Sequence, residues 1–231
     1  MQDKCIVSEQ AESGLMQNKY IVFDWDGTLH DTKYLYAEAV RIACDEFALM
    51  SSVDYAAITP DGLSQYLGLT PMAMWDDFAP NLEPSVKEKV SVRVGENMIR
   101  LIHDGYAKMY EEVPQMLDLL LDKGIKAIIL SNCKIAYMEA IKAQFDLDRW
   151  FVDFYPSEKY NYASKSKILS DIMKERPGDY IMIGDRLQDV EAGRENGVLT
   201  IGCGYGFGNE AELSGADYII SSPMEIFSFL K

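Results

Sequence analysis

Little in this sequence points to a membrane, a nucleic acid or an oxidising compartment. No apolar run approaches the roughly 18–20 residues that span a bilayer, and residues 1–18 lack the basic and apolar segments of a signal peptide. The four cysteines are scattered and form no CxxC pair, which argues against a disulfide framework or a zinc site. Basic residues are scarce, since 22 Lys and Arg stand against 37 Asp and Glu, a formal net charge of −15. We therefore predict a cytoplasmic protein with reduced thiols that binds neither a nucleic-acid polymer nor an anionic membrane.

Residues 111–231 alternate between apolar, β-rich runs and stretches with helical spacing. Besides residues 20–23, strands are predicted over residues 125–130, 151–155, 180–183 and 198–201. Helices are predicted over residues 113–123, 135–145, 165–174, 190–196 and near 223–230. Because strands that alternate with helices form a parallel sheet covered on both faces, the predicted fold class is α/β, a doubly wound parallel sheet.

The region between the first and second predicted strands reads as helical throughout. Apolar residues at helix-like spacing predict a helix over residues 34–50, and Pro84 suits the first turn of a helix that runs to about Tyr110. We therefore expect an all-helical domain inserted into the sheet domain. The predicted domains are a flexible lead-in (1–18), an α/β core (19–33 and 111–231) and a helical insert (34–110).

Four polar clusters stand where predicted strands end. They are Asp24-Trp25-Asp26-Gly27-Thr28, Ser131-Asn132, Lys165 with Lys167, and Gly184-Asp185-Arg186-Leu187-Gln188-Asp189. Ligands bind outside the carboxyl ends of the strands in such sheets, so all four clusters should lie along one edge. Neighbouring buried carboxylates repel each other and need a cation or shared protons. We predict a Mg²⁺ ion with a phosphate group beside it.

These residue types match the requirements of phosphoryl transfer, in which positioning and charge neutralisation dominate. A carboxylate can attack phosphorus and form an aspartyl-phosphate, and a second acid can protonate the leaving oxygen and then activate water. Acidic oxygens hold Mg²⁺, while a hydroxyl and an ammonium group bind the phosphoryl oxygens.

The motifs resemble those of the haloacid dehalogenase superfamily, in its Mg²⁺-dependent phosphatase branch. DxDGT matches residues 24–28, the lone Ser motif matches Ser131, the Lys motif best matches Lys165, and GDxxxD matches residues 184–189. The resemblance covers nearly all of residues 20–231, and residues 201–222 also look like the phosphoglycolate phosphatase and 5′-nucleotidase-like members. An acid at Asp26 favours phosphoryl transfer over the metal-independent attack on carbon made by haloacid dehalogenases.

The resemblance implies a role for each matched residue. Asp24 would be the nucleophile and a metal ligand, and Asp26 the general acid/base whose backbone carbonyl also binds the metal. Asp185 would complete the metal ligands with support from Asp189. Contacts to phosphate are expected from Thr28, Ser131, Asn132 and Lys165. The helical insert would be a cap that closes over a small phosphorylated metabolite, such as phosphoglycolate, a sugar phosphate or a nucleotide monophosphate.

Several alternatives stay open at this point. The enzyme could be a β-phosphoglucomutase-like phosphosugar mutase, or the chain a non-catalytic phosphate-binding module. Lys167 competes with Lys165 for the catalytic position, and the roles of His30, Cys133 and Arg186 are undecided. The alternating glycines of residues 202–208 look like a dinucleotide-binding loop, but the acidic residues that follow suit a pyrophosphate poorly. We therefore interpret these residues as a flexible loop near the active edge. The oligomeric state, monomer or homodimer, is not predicted.

Overall fold

A computed structural model describes residues 19–230 of the chain, and the predicted lead-in, residues 1–18, lies outside them. Six strands form one sheet in which every neighbouring pair is parallel, in the order β3-β2-β1-β4-β5-β6. The strands are β1 (Lys19–Phe23), β2 (Lys126–Ser131), β3 (Phe151–Pro156), β4 (Asp179–Gly184), β5 (Leu199–Cys203) and β6 (Tyr218–Ile220).

The order of the strands places β1, the first strand of the described residues, at the centre of the sheet. In β1, Val22 pairs with Ile128 of β2 on one side and with Met182 of β4 on the other. The chain builds outward from β1 through β2 to β3, and then from β4 to β6 in the opposite direction. The reversal between β1 and β4 is the topological switch point at which such sheets bind ligands. The predicted doubly wound parallel α/β fold is confirmed.

The α-helices are α1 (Thr32–Glu46), α2 (Pro60–Ser64), α3 (Pro71–Phe78), α4 (Pro84–His103), α5 (Val113–Asp122), α6 (Ile135–Phe145), α7 (Lys165–Glu175), α8 (Leu187–Glu195) and α9 (Glu210–Leu213). Short 3₁₀ helices occupy Tyr55–Ala57, Leu147–Arg149, Ser157–Tyr160 and Pro223–Ser228. Among the described residues, no helix combines the length and apolarity that crossing a lipid bilayer requires.

The chain divides into two compact units. The described part of the sheet unit comprises residues 19–29, 109–135 and 147–230, and the helical unit comprises residues 30–108 and 136–146. The sequence predicts residues 136–146, which include most of α6, as part of the α/β core, whereas in the structure they belong to the helical unit.

In the sheet unit, the strands carry continuous apolar runs because both faces of a parallel sheet are covered. Residues Tyr20 to Phe23 of β1 are all buried. One apolar cluster joins strand residues to α7 and α8, and consists of Tyr20, Val22, Ile128, Leu130, Tyr155, Ile168, Leu169, Ile172, Tyr180, Met182 and Ala192.

In the helical unit, α1 packs against α4, and the Asn97 side-chain amide donates to the Ala39 carbonyl at 3.4 Å. Lys87 of α4 is buried, yet its Nζ reaches Asp76 of α3 at 2.7 Å, so the ammonium keeps an ionic partner. Buried polar contacts of this kind fix how the helices of one unit pack, because an unpaired buried donor is costly.

Several predicted element bounds need correction. The helix predicted over residues 34–50 ends at Glu46, because Ala48 adopts a positive φ of 53°. The helix predicted to reach Tyr110 ends at His103, and Gly105 follows it with a φ of 81°. The helix predicted from Val190 begins earlier, at Leu187, since Asp189 caps it by accepting from the Arg186 amide.

Two further corrections concern the C-terminal part of the chain. The helix predicted near residues 223–230 is a 3₁₀ helix over Pro223–Ser228. Strand β6 was not predicted, and it has three residues, of which Tyr218 and Ile219 are exposed. A run this short carries too little apolar periodicity to identify a strand.

Candidate active site

The first cluster leaves the carboxyl end of β1 in a tight turn. The Asp24 amide donates to the Ile183 carbonyl at 2.9 Å, so pairing with β4 extends to Asp24 itself. Gly27 has a φ of 87°, and a Cβ there would overlap the Asp185 carboxylate. Only glycine accepts this backbone conformation without strain and leaves room for the neighbouring carboxylate. The turn therefore holds Asp24 against the end of β4.

Three aspartates from the first and fourth clusters form the centre of the site. Oxygens of Asp24, Asp185 and Asp189 all lie within 4.8 Å of one another, and all three side chains are buried. A hard divalent cation binds carboxylate oxygens, and this group of three buried carboxylates could hold one. The donor set therefore fits a Mg²⁺ ion.

Lys165, the first residue of α7, places its ammonium group between two of these carboxylates. Its Nζ lies 2.8 Å from Asp24 Oδ1 and 2.6 Å from Asp189 Oδ1, and the side chain is buried. One ammonium group among three carboxylates leaves these four groups with a formal charge of −2. Lys167 instead pairs with Asp171 at the surface, so the structure brings Lys165, and not Lys167, to the aspartates.

Burial has the largest effect on the pKa values of Asp24, Asp185 and Lys165, and the neighbouring charges come second. Burial raises the pKa of Asp24 well above its usual value, and Asp189 and Asp185 add to the rise while Lys165 opposes it. Burial, together with the charge of Asp189, raises the pKa of Asp185 to about 7. Burial lowers the pKa of Lys165, but Asp189 and Asp24 outweigh it and the net pKa is raised. The ammonium therefore stays charged, whereas the carboxylates need further positive charge to stay ionised.

Both oxygens of Asp185 accept hydrogen bonds from the protein. The Thr28 hydroxyl donates to Oδ1 at 3.0 Å, and the Phe207 amide donates to Oδ2 at 2.8 Å. Thr28 was predicted at the phosphate, and here its hydroxyl contacts a carboxylate. Sequence reasoning did not identify Phe207, because a backbone amide has no residue signature. The run of alternating glycines around it was the available signal.

The second cluster lies beside the first. Ser131 ends β2 and is buried, while Asn132 is exposed and Asp26 half-buried. Burial and the charge of Asp26 raise the pKa of the Cys133 thiol to about 12, against a hydrogen bond with Ser131 that lowers it. Cys133 is therefore close to Asp26 of the first cluster and to Ser131 of the second. A thiol with so high a pKa carries little thiolate at neutral pH.

Two residues left undecided by the sequence have structural partners. His30 is buried in the helical unit, where its Nδ1 lies 2.9 Å from the Thr32 hydroxyl. Arg186 directly precedes α8, and its Nε donates to Glu212 at 2.8 Å. Each contact gives a partner to a polar atom, His30 Nδ1 or Arg186 Nε, of a side chain that is buried or mostly buried.

The helical unit holds a cavity of about 570 Å³. Its lining residues are Tyr34, Ala37, Glu38, Arg41, Ile58, Pro60, Asp104, Gly105, Tyr106 and Lys108. None of the predicted site residues lines it.

The chain is similar in sequence to several known proteins. Residues 21–203 match the family of haloacid dehalogenase-like hydrolases. A 5′-nucleotidase from Pseudomonas aeruginosa is 30% identical over 110 residues, which is 46% of this chain and half of that protein's length. A phosphoglycolate phosphatase from Aquifex aeolicus is 27% identical over 190 residues, covering 79% of this chain and 83% of the relative.

A solved structure extends the likeness to the fold. The crystal structure of a predicted phosphoglycolate phosphatase from Haemophilus somnus superposes with a TM-score of 0.80. It covers 93% of this chain and 99% of that one at 16% sequence identity. At this identity the superposition bears on architecture alone.

Proposed function

Because the chain belongs to the haloacid dehalogenase-like hydrolase family, we propose that it is a Mg²⁺-dependent phosphatase that hydrolyses a small phosphomonoester. The observation that carries the proposal is the buried cluster of Asp24, Asp185 and Asp189, in which Lys165 is the neighbouring cation. A formal charge of −2 among these four groups is the charge that one divalent cation balances. Buried charges persist only when they are paired in this way.

The metal ligands in this proposal are the carboxylates of Asp24 and Asp185 and the backbone carbonyl of Asp26. Asp189 supports the set, because its two oxygens already accept from Lys165 at 2.6 Å and from the Arg186 amide at 3.0 Å. When bound, Mg²⁺ would supply positive charge to the phosphoryl oxygens and hold them near Asp24.

Asp24 then attacks phosphorus, and the ester P–O bond breaks as the Asp24 O–P bond forms. Asp26 gives a proton to the departing alcohol oxygen, so the alcohol leaves neutral. In the second half, Asp26 takes a proton from water, and the water oxygen bonds to phosphorus as the Asp24 O–P bond breaks. This releases inorganic phosphate and regenerates the Asp24 carboxylate and the protonated Asp26. Lys165 stabilises the negative charge of the phosphoryl group in both steps. Ser131, Asn132 and Thr28 would bind or shape the phosphate position.

The proposed substrate class follows from the relatives. Their printed names are phosphoglycolate phosphatase and 5′-nucleotidase, so phosphoglycolate and nucleoside monophosphates lead the panel to be tested, with sugar phosphates beside them. The partner of this site would be a small phosphorylated metabolite.

The first test is phosphate release from p-nitrophenyl phosphate and from that panel, with Mg²⁺ and with EDTA. We expect Mg²⁺-dependent release by the native enzyme and none above background by Asp24→Asn, because an amide cannot act as the nucleophile. Normal turnover by an Asp24→Asn preparation would refute the nucleophile assignment. Conversion of a sugar phosphate into its isomer without phosphate release would show a mutase, and binding without turnover of any substrate would show a binding module.

The second test concerns the covalent intermediate. p-Nitrophenolate needs little protonation to leave, so Asp26→Asn should slow chiefly the attack of water on the intermediate. We expect turnover of this variant to fall by about 10²–10⁴-fold and acid-quenched protein to carry one added phosphoryl group on Asp24 by mass spectrometry. A quenched Asp26→Asn sample without phosphoryl-enzyme, despite slowed turnover, would count against the aspartyl-phosphate.

A further inference from the structure

The glycine-rich loop after β5 lies directly on Asp185. The Phe207 amide donates to Asp185 Oδ2 at 2.8 Å. A Cβ on Gly206 would overlap Asp185 Cβ, and one on Gly208 would overlap the Asp185 backbone carbonyl oxygen. Glycine at positions 206 and 208 therefore has a steric reason, because the loop approaches Asp185 so closely there that no side chain fits between them.

The same loop also reaches the other oxygen of Asp185 through one intermediate residue. The Tyr205 hydroxyl donates to the backbone carbonyl of Thr28 at 2.9 Å, and the Thr28 hydroxyl donates to Asp185 Oδ1 at 3.0 Å. The Tyr205 ring packs edge-on against Tyr110 with ring centres 5.1 Å apart. Each Asp185 oxygen thus has one hydrogen-bond donor, and each keeps a lone pair for another partner.

The far end of this segment is tied to the residues that follow Asp185. Glu212 in α9 accepts from Arg186 Nε at 2.8 Å and from the Leu187 amide at 3.3 Å. Arg186 and Glu212 are mostly buried side chains, 14% and 20% exposed, so their ion pair is poorly screened by water. Residues 204–212 therefore contact both the side chain of Asp185 and the two residues that follow it at the start of α8.

We propose that Tyr205 and Phe207 are positioning residues that orient the Asp185 carboxylate for metal binding. The inference rests on the proposed function, since it requires Asp185 to be a Mg²⁺ ligand. Partners that hydrogen-bond a ligating carboxylate fix its rotation, and their loss typically weakens metal affinity. The hydrogen bonds of the loop lead to the proposed metal ligand Asp185, so its effect should fall on metal affinity and not on the chemical step.

Tyr205→Phe tests the proposal by removing one hydroxyl. Mg²⁺ affinity is measured by isothermal titration calorimetry on the full chain, and kcat is measured at saturating Mg²⁺. We expect the Kd for Mg²⁺ to rise about fivefold, equivalent to about 1 kcal/mol, with kcat changed less than about twofold. The matched control is Tyr180→Phe, whose hydroxyl also donates to a backbone carbonyl, that of Arg176 at 2.6 Å. It should leave the Kd unchanged. A native Kd in Tyr205→Phe, or an equal rise in both variants, would overturn the proposal.

Gly206→Ala probes the close approach itself. We expect its Kd for Mg²⁺ to rise more than about tenfold. Gly202→Ala should bind normally, because the nearest atom to the new Cβ, at 3.3 Å, is Cδ2 at the end of the Leu213 side chain and not an atom of Asp185. A native Kd in a folded Gly206→Ala would refute the positioning role, and if this variant fails to fold by circular dichroism, Tyr205→Phe alone decides.

Asp185→Asn separates this inference from the proposed function. Loss of Mg²⁺ binding in Asp185→Asn together with native binding in Tyr205→Phe refutes only the role of the loop. Native Mg²⁺ binding in Asp185→Asn refutes the metal site and the loop together.

Discussion

At the scale of single residues, the contact that sets Lys165 apart from Lys167 is its position between Asp24 and Asp189. We expect Lys165→Met to lower kcat/KM for p-nitrophenyl phosphate by about 10²–10³-fold at saturating Mg²⁺, because the phosphoryl group loses a fixed positive charge. Lys167→Met serves as the control and should stay within about twofold of the native value, since surface ion pairs contribute little. Loss of activity in Lys167→Met with normal activity in Lys165→Met would reverse the assignment.

The sequence identifies site residues that act through their side chains, but not those that act through a backbone amide. The positions of Asp24, Asp185 and Lys165 at strand and helix ends follow from motif spacing, and the structure brings them together. Phe207 acts through its amide, which every residue other than proline has. The contact of Thr28 with Asp185 also depends on how closely two turns approach, and no local pattern encodes that distance.

At the scale of elements, the start of α7 decides where Lys165 points. Ser164 is the N-cap of this helix, and its hydroxyl accepts from the Lys167 amide at 3.2 Å. We expect Ser164→Ala to lower the free energy of unfolding by about 1 kcal/mol, measured by urea denaturation. Ser164→Asp retains an acceptor at the cap and should keep near-native stability. Equal destabilisation by both substitutions would show that the cap is not the cause.

The long apolar strands and amphipathic helices were predictable because each carries its own periodicity. Strands β1, β2 and β4 each contain a continuous apolar run in a sheet that is covered on both faces. Helix ends were less predictable, since Ala48 ends its helix with a left-handed conformation that alanine does not favour. Strand β6 is fixed by pairing with β5, for instance Gly202 with Ile219, and such pairing leaves no local signal.

At the scale of the whole molecule, the buried acidic cluster links stability to pH and metal. The pKa of Asp185 is raised to about 7, compared with about 3.9 in an unfolded chain. The folded state therefore holds this proton more tightly. Without metal, the resulting stability is fully present below about pH 4 and is lost as the pH rises through about 7. Mg²⁺ binds the ionised form, so its stabilising effect should grow over the same range.

We expect Mg²⁺ at one fixed concentration, about 100 times its Kd at pH 8, to raise the melting temperature by about 5–10 °C near pH 8, relative to EDTA. The rise should be clearly smaller near pH 6, where protons compete with the metal. Differential scanning fluorimetry at both pH values measures it, and Asp185→Asn should abolish the difference. An equal rise at both pH values would contradict the linkage between metal and proton.

The central position of β1 has a consequence for how the protein is made. β1 is among the first described residues to leave the ribosome, yet its neighbour β4 begins only at Asp179. At about 5–20 residues per second, the roughly 150 intervening residues take on the order of ten seconds to synthesise. Until β4 is made, at least one edge of the apolar strand β1 lacks its neighbour, and the site lacks Asp185 and Asp189. Translation speed and chaperone capture in this interval would then govern the yield of active enzyme.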